Sequence, residues 1–449
     1  MASTAGLVIV PCVHGFGLAH HCYTMTAAHF FGSLLSKMLI IAERSNLSSF
    51  ILLIFCIISA FSIDPECYMT VPEVARYFGY AAEVHLVRTD DDYILEVYRI
   101  LPRRNLKQSW KGQKPLVFLQ HGIFGDGFAW ASNIANESAA FVFADAGVDV
   151  WIGNSRGTPP SQKHISYGPN DRRFWNFTWQ DMASYDLTSS INYVLEKTGE
   201  ASLYYVGHSQ GTEIMFAKLA EDQRFASKIR QFHALAPVAT VSHIGGLFRI
   251  FGHRLTFLVE LLLRRTPNSP LTLPKFLQKT ISYFCSLPIA QGVCTLDIGI
   301  FDGKETMMNT TRIGVYLCHT PAATSAKNLL HWVQIVNSRK CEKFDYGREG
   351  NIREYGKERP PTYDFRKITV PTYLYWSKDD ILADTEDIRE TILTSMNATI
   401  RSSYELPHYT HLDFVFGINA THDIYHPIID EIRRDLITSK MLRENRVYA

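Results

Sequence analysis

The stretch that decides the fold is Leu203–Gly211, which reads LYYVGHSQG. Its first four residues form an apolar run typical of a buried strand, and the helix-compatible residues 212–220 follow it. A serine between small residues on a tight strand-to-helix turn has its hydroxyl lifted clear of the sheet, and the new helix directs its N-terminal amides towards any anion that forms there. The pattern therefore predicts Ser209 as a nucleophile. The alternative is a serine in an ordinary strand-to-helix turn.

Short apolar runs on either side of this motif predict a mostly parallel sheet. Strands are expected at Val84–Thr89, Tyr93–Arg99, Leu116–Leu119, Val148–Ile152, Leu203–Val206, His233–Leu235 and Thr372–Tyr375. Helical periodicity is found in Trp179–Lys197, Asp384–Leu393 and Pro427–Leu442. Strands that alternate with helices imply an α/β protein whose central sheet is covered by helices on both faces, while the first two strands suit an antiparallel pair.

The alternation of strands and helices stops between residues 242 and 341, which predicts an inserted, mostly helical cap. Within it, Phe257–Leu263 is strongly apolar and is followed by Arg264 and Arg265. This stretch is either a lid helix or a plain core helix of the cap. The expected domains are an N-terminal extension with a signal peptide at 1–62, a first core part at 63–241, the cap at 242–341 and a second core part at 342–449.

A second loop is expected to bind negative charge together with the serine turn. Gln120–Gly125, which reads QHGIFG, follows the Leu116–Leu119 strand. The His-Gly pair lets the backbone turn sharply and bring the Ile123 N–H towards the nucleophile, and the Gln210 N–H would be the second donor of an oxyanion hole. His121 itself is expected to brace the loop rather than to act as the base.

The serine needs a base, and the base needs an acid to orient it. In α/β-hydrolases the acid and then the histidine follow the serine along the chain. Asp379 and Asp380 come directly after the last predicted strand, and His408 and His411 lie about thirty residues further on. The residues alone place the acid and the base in these two segments. They do not decide between Asp379 and Asp380 or between His408 and His411, although Asp380 and His411 are favoured.

Composition excludes several other classes of protein. The chain has 449 residues, of which 46% are hydrophobic. Its 45 Lys+Arg nearly balance its 44 Asp+Glu. This is the profile of a folded globular protein, and it offers no excess of cations for nucleic acid. There is no CxxC pair that would indicate a zinc ribbon. The predicted chemistry requires neither a metal nor a cofactor.

The N-terminal region and the cysteines indicate export. Ser49–Ser62 resembles the apolar segment and cleavage site of a signal peptide, with Met38 as the expected true start; an uncleaved signal anchor is the alternative, and no stable transmembrane span is expected after cleavage. Five cysteines follow residue 62, and the short separation of Cys285 and Cys294 could close a small loop, while the pairing of Cys67, Cys318 and Cys341 stays open. Five N-glycosylation sequons lie in the same part of the chain, at Asn136, Asn176, Asn309, Asn397 and Asn419.

From about residue 64 to 440 the chain resembles the acid lipases, the group that includes gastric and lysosomal acid lipases. Their α/β-hydrolase fold agrees with the predicted sheet. The segments that carry the resemblance are Tyr93–Leu95, His121-Gly122 with Trp130, Asp149–Gly157, Asp181–Leu187, Tyr205–Thr212, Pro321–Ser325 with His331-Trp332, Asp380–Asp384 and His411–Phe414. Two segments depart from the family pattern, Thr158–Pro160 and Ile123–Asp126, and both put the substrate preference in doubt rather than the hydrolysis.

The resemblance implies a nucleophile, acid and base at Ser209, Asp380 and His411, and an oxyanion hole formed by the amides of Ile123 and Gln210. It also implies a lid within residues 242–341 and a disulfide between Cys285 and Cys294. The expected function is a secreted or lysosomal lipase that cleaves ester bonds of neutral lipids, such as triacylglycerol or cholesteryl esters, at a lipid–water interface. The alternatives are a carboxylesterase for soluble short esters and a non-catalytic lipid carrier on the same scaffold.

Overall fold

The computed structural model describes residues 64–102, 114–246, 256–303 and 306–447. The described part of the chain contains a central sheet of nine strands. Eight of them run in the order β1-β2-β4-β3-β6-β7-β10-β11, and β5 pairs with β2 at the side. Their bounds are β1 Ala81–Arg88, β2 Tyr93–Leu101, β3 Leu116–Gln120, β4 Asp149–Gly153, β5 Lys163–His164, β6 Leu203–His208, β7 Ile229–Leu235, β10 Thr372–Trp376 and β11 Ile400–Glu405.

The sheet is mostly parallel, as the sequence predicts. β1 and β2 form an antiparallel pair, β2 is also antiparallel to β4, and the neighbours from β4 through to β11 are parallel. Every residue of β3, β4, β6 and β10 is buried, because helices cover both faces of the sheet there. The central strands therefore read as continuous apolar runs.

Sequence patterning missed the edge strand β11. Its residues alternate between partly buried and exposed, which is the pattern of an edge strand with one face in solvent. The segment reads IRSSYE and lacks the apolar run by which the inner strands were predicted. The strand at His233–Leu235 was also placed too short, since β7 begins at Ile229.

Helices of seven or more residues flank the sheet and form most of the inserted segment. Outside the insertion they are α1 Val71–Tyr77, α2 Ala139–Asp145, α3 Leu187–Thr198, α4 Gln210–Glu221, α10 Arg348–Tyr355 and α11 His426–Val447. Two predicted helices are less regular than their periodicity suggested. A π-helical turn, Met182–Asp186, precedes α3, and Ile388–Leu393 is π-helical as well. One apolar face is kept through both irregular segments.

The inserted segment is mostly helical, in agreement with the sequence. It contains α5 Thr256–Arg265, α6 Lys275–Ser286, α7 Gln291–Asp302, α8 Ile313–His319 and α9 Ala326–Ser338, together with the short antiparallel strands β8 Pro270–Leu271 and β9 Thr324–Ser325. The expected boundaries at 242 and 341 stay predictions, because residues 63–449 form one compact unit in which cap and core are not separated.

Two disulfides and one free thiol account for the cysteines of the described chain. Cys285 is bonded to Cys294, which links α6 to α7. Cys67 is bonded to Cys318, which links the segment before α1 to α8, and the sequence had left this pairing open. Cys341 is free and buried.

None of the helices in the described ranges is long and apolar enough to cross a membrane. The predicted signal peptide at Ser49–Ser62 and the expected start at Met38 lie outside the described residues, so both stay predictions.

Candidate active site

Ser209 occupies the turn between β6 and α4, and its backbone has the positive φ of 53°. Such an angle is uncommon for a residue with a side chain and persists only where the surroundings enforce it. The glycines around it have a steric cause. A Cβ on Gly207 would lie 2.7 Å from the carbonyl oxygen of Gly211, and a Cβ on Gly211 would lie 2.5 Å from the carbonyl oxygen of Gln120. The turn is therefore possible only with glycine at both positions.

Three predicted residues meet at the carboxyl edge of the sheet. Ser209 Oγ lies 2.7 Å from His411 Nε2, although the two residues are 202 positions apart. His411 Nδ1 lies 2.9 Å from one carboxylate oxygen of Asp380 and 3.1 Å from the other. All three side chains are buried. The arrangement is a continuous hydrogen-bonded relay from hydroxyl to imidazole to carboxylate.

The loops that follow β10 and β11 position the acid and the histidine. The Asp380 carboxylate accepts hydrogen bonds from the backbone amides of Leu382, at 2.9 Å, and Ala383, at 2.8 Å. His208 Nε2 donates to the carbonyl oxygen of His411 at 2.9 Å, which ties the histidine loop to the serine turn. Burial lowers the pKa of His208 to about 3, so its ring is neutral and can serve as this single donor.

The two alternatives that the sequence left open lie apart from this relay. His408 and Asp379 are both exposed, with side chains 75% and 56% accessible. The backbone amide of His408 donates to Asp379 Oδ2 at 3.1 Å, so the pair braces the loop surface. The structure places Asp380 and His411, rather than this pair, beside Ser209.

The predicted oxyanion loop lies directly against the serine turn. A Cβ on Gly122 would stand 2.8 Å from the Cβ of Ser209, so the glycine allows the loop to approach. His121 holds the loop, because its Nδ1 donates to the carbonyl oxygen of Gly122 at 2.8 Å and its Nε2 accepts from the Ser155 amide at 3.0 Å. Burial lowers the pKa of His121 to about 4, which keeps the ring neutral for these two roles.

The two amides predicted to bind an oxyanion are available to a ligand. Among the described residues, neither the Ile123 N–H nor the Gln210 N–H donates to a protein acceptor. Gln210 is also the first residue of α4, so its amide belongs to the positive end of the helix dipole. The oxyanion of an acyl-transfer reaction requires backbone donors of this kind, and the role of these two amides stays a prediction.

Sequence reasoning missed the partners of the Gln210 side chain. Gln210 Oε1 accepts from Asn328 Nδ2 at 2.9 Å and from Trp332 Nε1 at 2.8 Å. Both donors lie on the cap helix α9, more than a hundred residues from Gln210. No local pattern in the sequence could have joined them to the serine turn.

One group of side chains in the described ranges could share a metal ion. The ligand atoms of His243, Asp384 and Glu386 lie within 4.8 Å of one another. Glu386 is exposed, and the Asp384 carboxylate accepts a hydrogen bond from the Glu386 amide at 2.7 Å. The group lies outside the Ser209 relay.

Most of the five asparagines predicted to carry a glycan lie at the surface of the protein. Four of the asparagines are exposed, and the fifth, Asn309, is partly buried and donates to Glu137 at 3.2 Å. The exposed four are Asn136, Asn176, Asn397 and Asn419. Surface positions suit an N-linked glycan, and occupancy of all five sites stays a prediction.

Two family profiles match this chain. The profile described as "Partial alpha/beta-hydrolase lipase region" matches residues 71–134, and the one described as "alpha/beta hydrolase fold" matches residues 115–417. The second match covers more than half of the chain. It contains Ser209, Asp380 and His411, and it agrees with the strand order and the serine turn described above.

Named lipases are similar to this chain over most of its length. Lipase lipl-1 of Caenorhabditis elegans is 41% identical over 380 residues, which cover 83% of this chain and 94% of the relative. Gastric triacylglycerol lipase of Bos taurus is 38% identical over 384 residues, which cover 85% and 95%. Lysosomal acid lipase/cholesteryl ester hydrolase of Homo sapiens is 38% identical over 375 residues, which cover 83% and 93%. The resemblance noted from the motifs is thereby confirmed: the chain belongs to the acid lipase family of α/β-hydrolases and is a carboxylic ester hydrolase.

Proposed function

We propose that this protein hydrolyses the ester bonds of neutral lipids through an acyl-enzyme formed on Ser209. The observation that carries the proposal is the buried relay in which His411 Nε2 lies 2.7 Å from Ser209 Oγ while His411 Nδ1 lies 2.9 Å from Asp380. A hydroxyl is a poor nucleophile unless a positioned base takes its proton as it attacks. The relay supplies that base and the acid that orients it.

The first half of the reaction transfers the acyl group to the enzyme. Ser209 Oγ attacks the ester carbonyl carbon while its proton passes to His411 Nε2. The carbonyl π bond opens and its electron pair moves onto the oxygen. The electron pair returns as the bond to the leaving alcohol breaks, and His411 gives its proton to that alcohol. The acyl group is then held by an ester bond to Ser209.

The second half of the reaction uses the same groups with water. His411 takes a proton from water as the water oxygen attacks the acyl carbon, and it returns the proton to Ser209 Oγ when the bond to the serine breaks. The products are a fatty acid and the regenerated enzyme. Throughout the cycle Asp380 keeps Nδ1 of His411 protonated, so that Nε2 is the nitrogen that accepts the serine proton.

The developing negative charge is assigned to the amides of Ile123 and Gln210. Fixed backbone donors at a buried site stabilise an oxyanion without the cost of reorganising water. Removing one such donor typically costs about 2.7–4 kcal/mol of transition-state stabilisation. The described residues offer no competing acceptor for either amide, which supports this assignment.

A lipid substrate fits the relatives and the surface of the cap. The similar proteins include a triacylglycerol lipase and a cholesteryl ester hydrolase. On α5, the side chains of Leu258, Leu261 and Leu262 are exposed, whereas Leu263 is buried against α9. The predicted lid stretch is therefore a core helix on one side and an exposed apolar surface on the other. An apolar helix face beside basic residues suits docking on a lipid–water interface.

Export through the secretory pathway, to a lysosome or to the outside of the cell, is part of the same proposal. The two disulfides suit an oxidising compartment, because cytosolic thiols are kept reduced. The names of the similar proteins include a gastric and a lysosomal lipase. N-terminal sequencing of the secreted protein tests this part, and a mature start near residue 63 is expected.

The Ser209→Ala variant tests the proposed reaction. We expect kcat on an emulsified long-chain triacylglycerol and on a soluble short ester to fall roughly 10⁶-fold, because the variant lacks the hydroxyl that forms the proposed acyl-enzyme. The melting temperature should stay close to that of the wild type. A variant that hydrolyses either ester nearly as fast as the wild type would show that the nucleophile is wrong.

The same assays separate the two alternative functions. A wild-type protein that hydrolyses the soluble ester but not the emulsion would be a carboxylesterase. A protein that binds lipid and hydrolyses neither ester would be a carrier.

A further inference from the structure

The Gln210 side chain is held by the cap although its backbone belongs to the serine turn. Its oxygen Oε1 receives two hydrogen bonds, from Asn328 Nδ2 at 2.9 Å and from Trp332 Nε1 at 2.8 Å. Its nitrogen Nε2 lies 3.4 Å from the sulfur of Met182. The residue is buried. The chain thus fixes both ends of this amide with groups that come from outside β6 and α4.

The direction of each hydrogen bond follows from the chemistry of the partners. An indole N–H can only donate, so Trp332 requires an acceptor at Gln210. Asn328 Oδ1 accepts from the backbone amide of Trp179 at 2.7 Å, which leaves Nδ2 of Asn328 to donate. Both partners therefore require the oxygen of the Gln210 amide on their side. The orientation of this side chain is fully determined.

The donors themselves are held firmly in the cap. Both lie on α9, the helix Ala326–Ser338. The hydroxyl of Ser325 caps this helix by accepting from the Asn328 amide at 2.9 Å, and it donates to the carbonyl oxygen of Phe177 at 2.5 Å. The first turn of α9 is thus fixed to the segment before α3. It provides a stationary support for Gln210.

The position of Gln210 matters because its backbone amide is one of the two proposed oxyanion donors. The residue follows Ser209, whose positive φ makes the turn sensitive to how its neighbours are anchored. A displacement of about 1 Å in such a site can cost on the order of 10²-fold in rate. A fixed side chain limits rotation of the first peptide units of α4.

We propose that Trp332 and Asn328 are positioning residues that hold the oxyanion-binding amide of Gln210, so that the cap helix α9 completes the catalytic site. The inference rests on the proposed function, because it assigns a support to the same oxyanion hole. The cap would then have two roles, because it would hold an oxyanion-binding amide in place and also control the access of the substrate. The cap must then keep α9 in place while other parts of it admit the substrate.

Two variants separate the contributions. Trp332→Phe removes one donor and keeps an aromatic ring. Gln210→Met removes the acceptor of both bonds but keeps the backbone amide. Trp151→Phe is the matched control, since the indole Nε1 of Trp151 has no hydrogen-bond partner within the described residues and the ring lies on β4.

The readout is kinetic and uses a soluble short ester, so that binding to a lipid surface does not intervene. For Gln210→Met we expect kcat to fall about 100-fold, at the lower end of the roughly 10²–10³-fold loss observed when one oxyanion donor is removed. For Trp332→Phe we expect a smaller fall, about tenfold, because Asn328 still donates to Gln210. KM should change less than about threefold, because the interaction acts on the transition state. Trp151→Phe should stay within about threefold of the wild type.

A trifluoromethyl ketone of matching acyl length distinguishes positioning from a structural role. It forms a hemiketal in which Ser209 Oγ bonds to the carbonyl carbon, the serine proton passes to His411 and the former carbonyl oxygen becomes an oxyanion. Its inhibition constant should rise by the same factor by which kcat/KM falls in each variant. A merely structural effect would lower the melting temperature without this parallel.

The outcomes decide between the proposals. Folded Trp332→Phe and Gln210→Met variants with wild-type kcat and inhibition constants would overturn the positioning role and leave the proposed function intact. A wild-type protein that hydrolyses no ester would overturn the proposed function as well. If Gln210→Met does not fold, Trp332→Phe decides the question alone, because Trp332 is only partly buried and the substitution keeps an aromatic ring.

Discussion

Glu213 is a buried carboxyl group one helical turn beyond the serine. It lies on α4 with no exposed surface. Its Oε1 is 4.0 Å from the thiol sulfur of Cys341, and its Oε2 has no hydrogen-bond partner in the described part of the chain. Burial raises the pKa of Glu213 well above its usual value, so the group is neutral in the folded protein over a wide pH range.

This residue should make stability depend on pH. In the unfolded chain a glutamate titrates near pH 4.3, whereas the folded protein keeps the proton to a higher pH. The folded state binds more protons than the unfolded state in that pH interval. The contribution of Glu213 to the stability is therefore fully present below about pH 4.3 and decreases as the pH rises towards the pKa that the group has in the folded protein. The loss from this one group is about 1.4 kcal/mol per pH unit.

Glu213→Gln should remove this contribution, since glutamine does not titrate. We expect the free energy of unfolding, measured by urea denaturation from pH 5 to pH 7, to fall less steeply with pH in the variant. Glu358→Gln, at an exposed glutamate, is the control and should leave the slope unchanged. A Glu213→Gln curve parallel to that of the wild type would contradict the account.

At the residue level, the sequence predicts chemistry better than it predicts contacts. The serine motif and the order of acid and histidine narrowed the relay to a few side chains, because the spacing in such a turn has a steric cause. The choice between neighbouring acids and histidines depended on the loops after β10 and β11. The partners of the Gln210 side chain come from a distant helix, so no local pattern could predict them.

The cap helix α6 carries an exposed apolar face that the sequence analysis did not single out. Phe276 and Phe284 are 73% and 50% exposed, and Leu277 and Ile281 on the same helix are 37% exposed each. The opposite face is fixed, because Cys285 is buried. The predicted lid stretch drew attention to α5 because it is a continuous apolar run, whereas α6 mixes polar and apolar residues at helical spacing.

The double variant Phe276→Ser/Phe284→Ser tests whether this face binds the lipid surface. Fully burying a phenylalanine side chain is worth about 1.5–3 kcal/mol, so losing two rings that are at least half exposed should lower activity on an emulsion about tenfold or more. Activity on a soluble short ester should be unchanged, because the relay is untouched. Tyr77→Ser, at a similarly exposed aromatic on α1, is the control. An equal loss on both substrates would contradict a docking role.

Predictability also differs between elements for physical reasons. The inner strands were predicted because burial on both faces requires continuous apolar runs. The edge strand β11 was missed because only one of its faces is partly buried, and its short polar sequence resembles a loop. The π-helical turn before α3 was missed because it keeps its buried side chains on the buried side of the helix and leaves the periodicity almost unchanged.

At the scale of the whole molecule, the segment before α1 is fastened to the cap. Cys67 is bonded to Cys318, and the two lie 251 positions apart. Beside this bond, Arg312 donates to both carboxylate oxygens of Glu66 in a buried pair and to the carbonyl oxygen of Ser132 at 2.7 Å. The N-terminal segment, the core and the helix α8 are thus joined at one place.

Replacing both cysteines of this bond by serine should destabilise the protein. A cross-link that closes so long a loop restricts the unfolded chain strongly, and loss of a native disulfide typically costs about 2–5 kcal/mol. We expect the free energy of unfolding to fall by about that amount while kcat of the folded protein stays within about twofold of the wild type. Unchanged stability in the double variant, measured under oxidising conditions, would show that the bond does not form in solution.

The central claim, that Ser209 is the nucleophile of the relay, is tested most directly by covalent trapping. The protein is incubated with a p-nitrophenyl alkylphosphonate, whose phosphorus is attacked by a nucleophilic serine with release of p-nitrophenolate, and the adduct is mapped by mass spectrometry. We predict one phosphonyl group per chain, attached to Ser209, with activity lost in step with labelling and with Asp380→Asn labelling about 10⁴-fold more slowly. Labelling of a different residue, or full labelling of Ser209 with activity retained, would contradict the account.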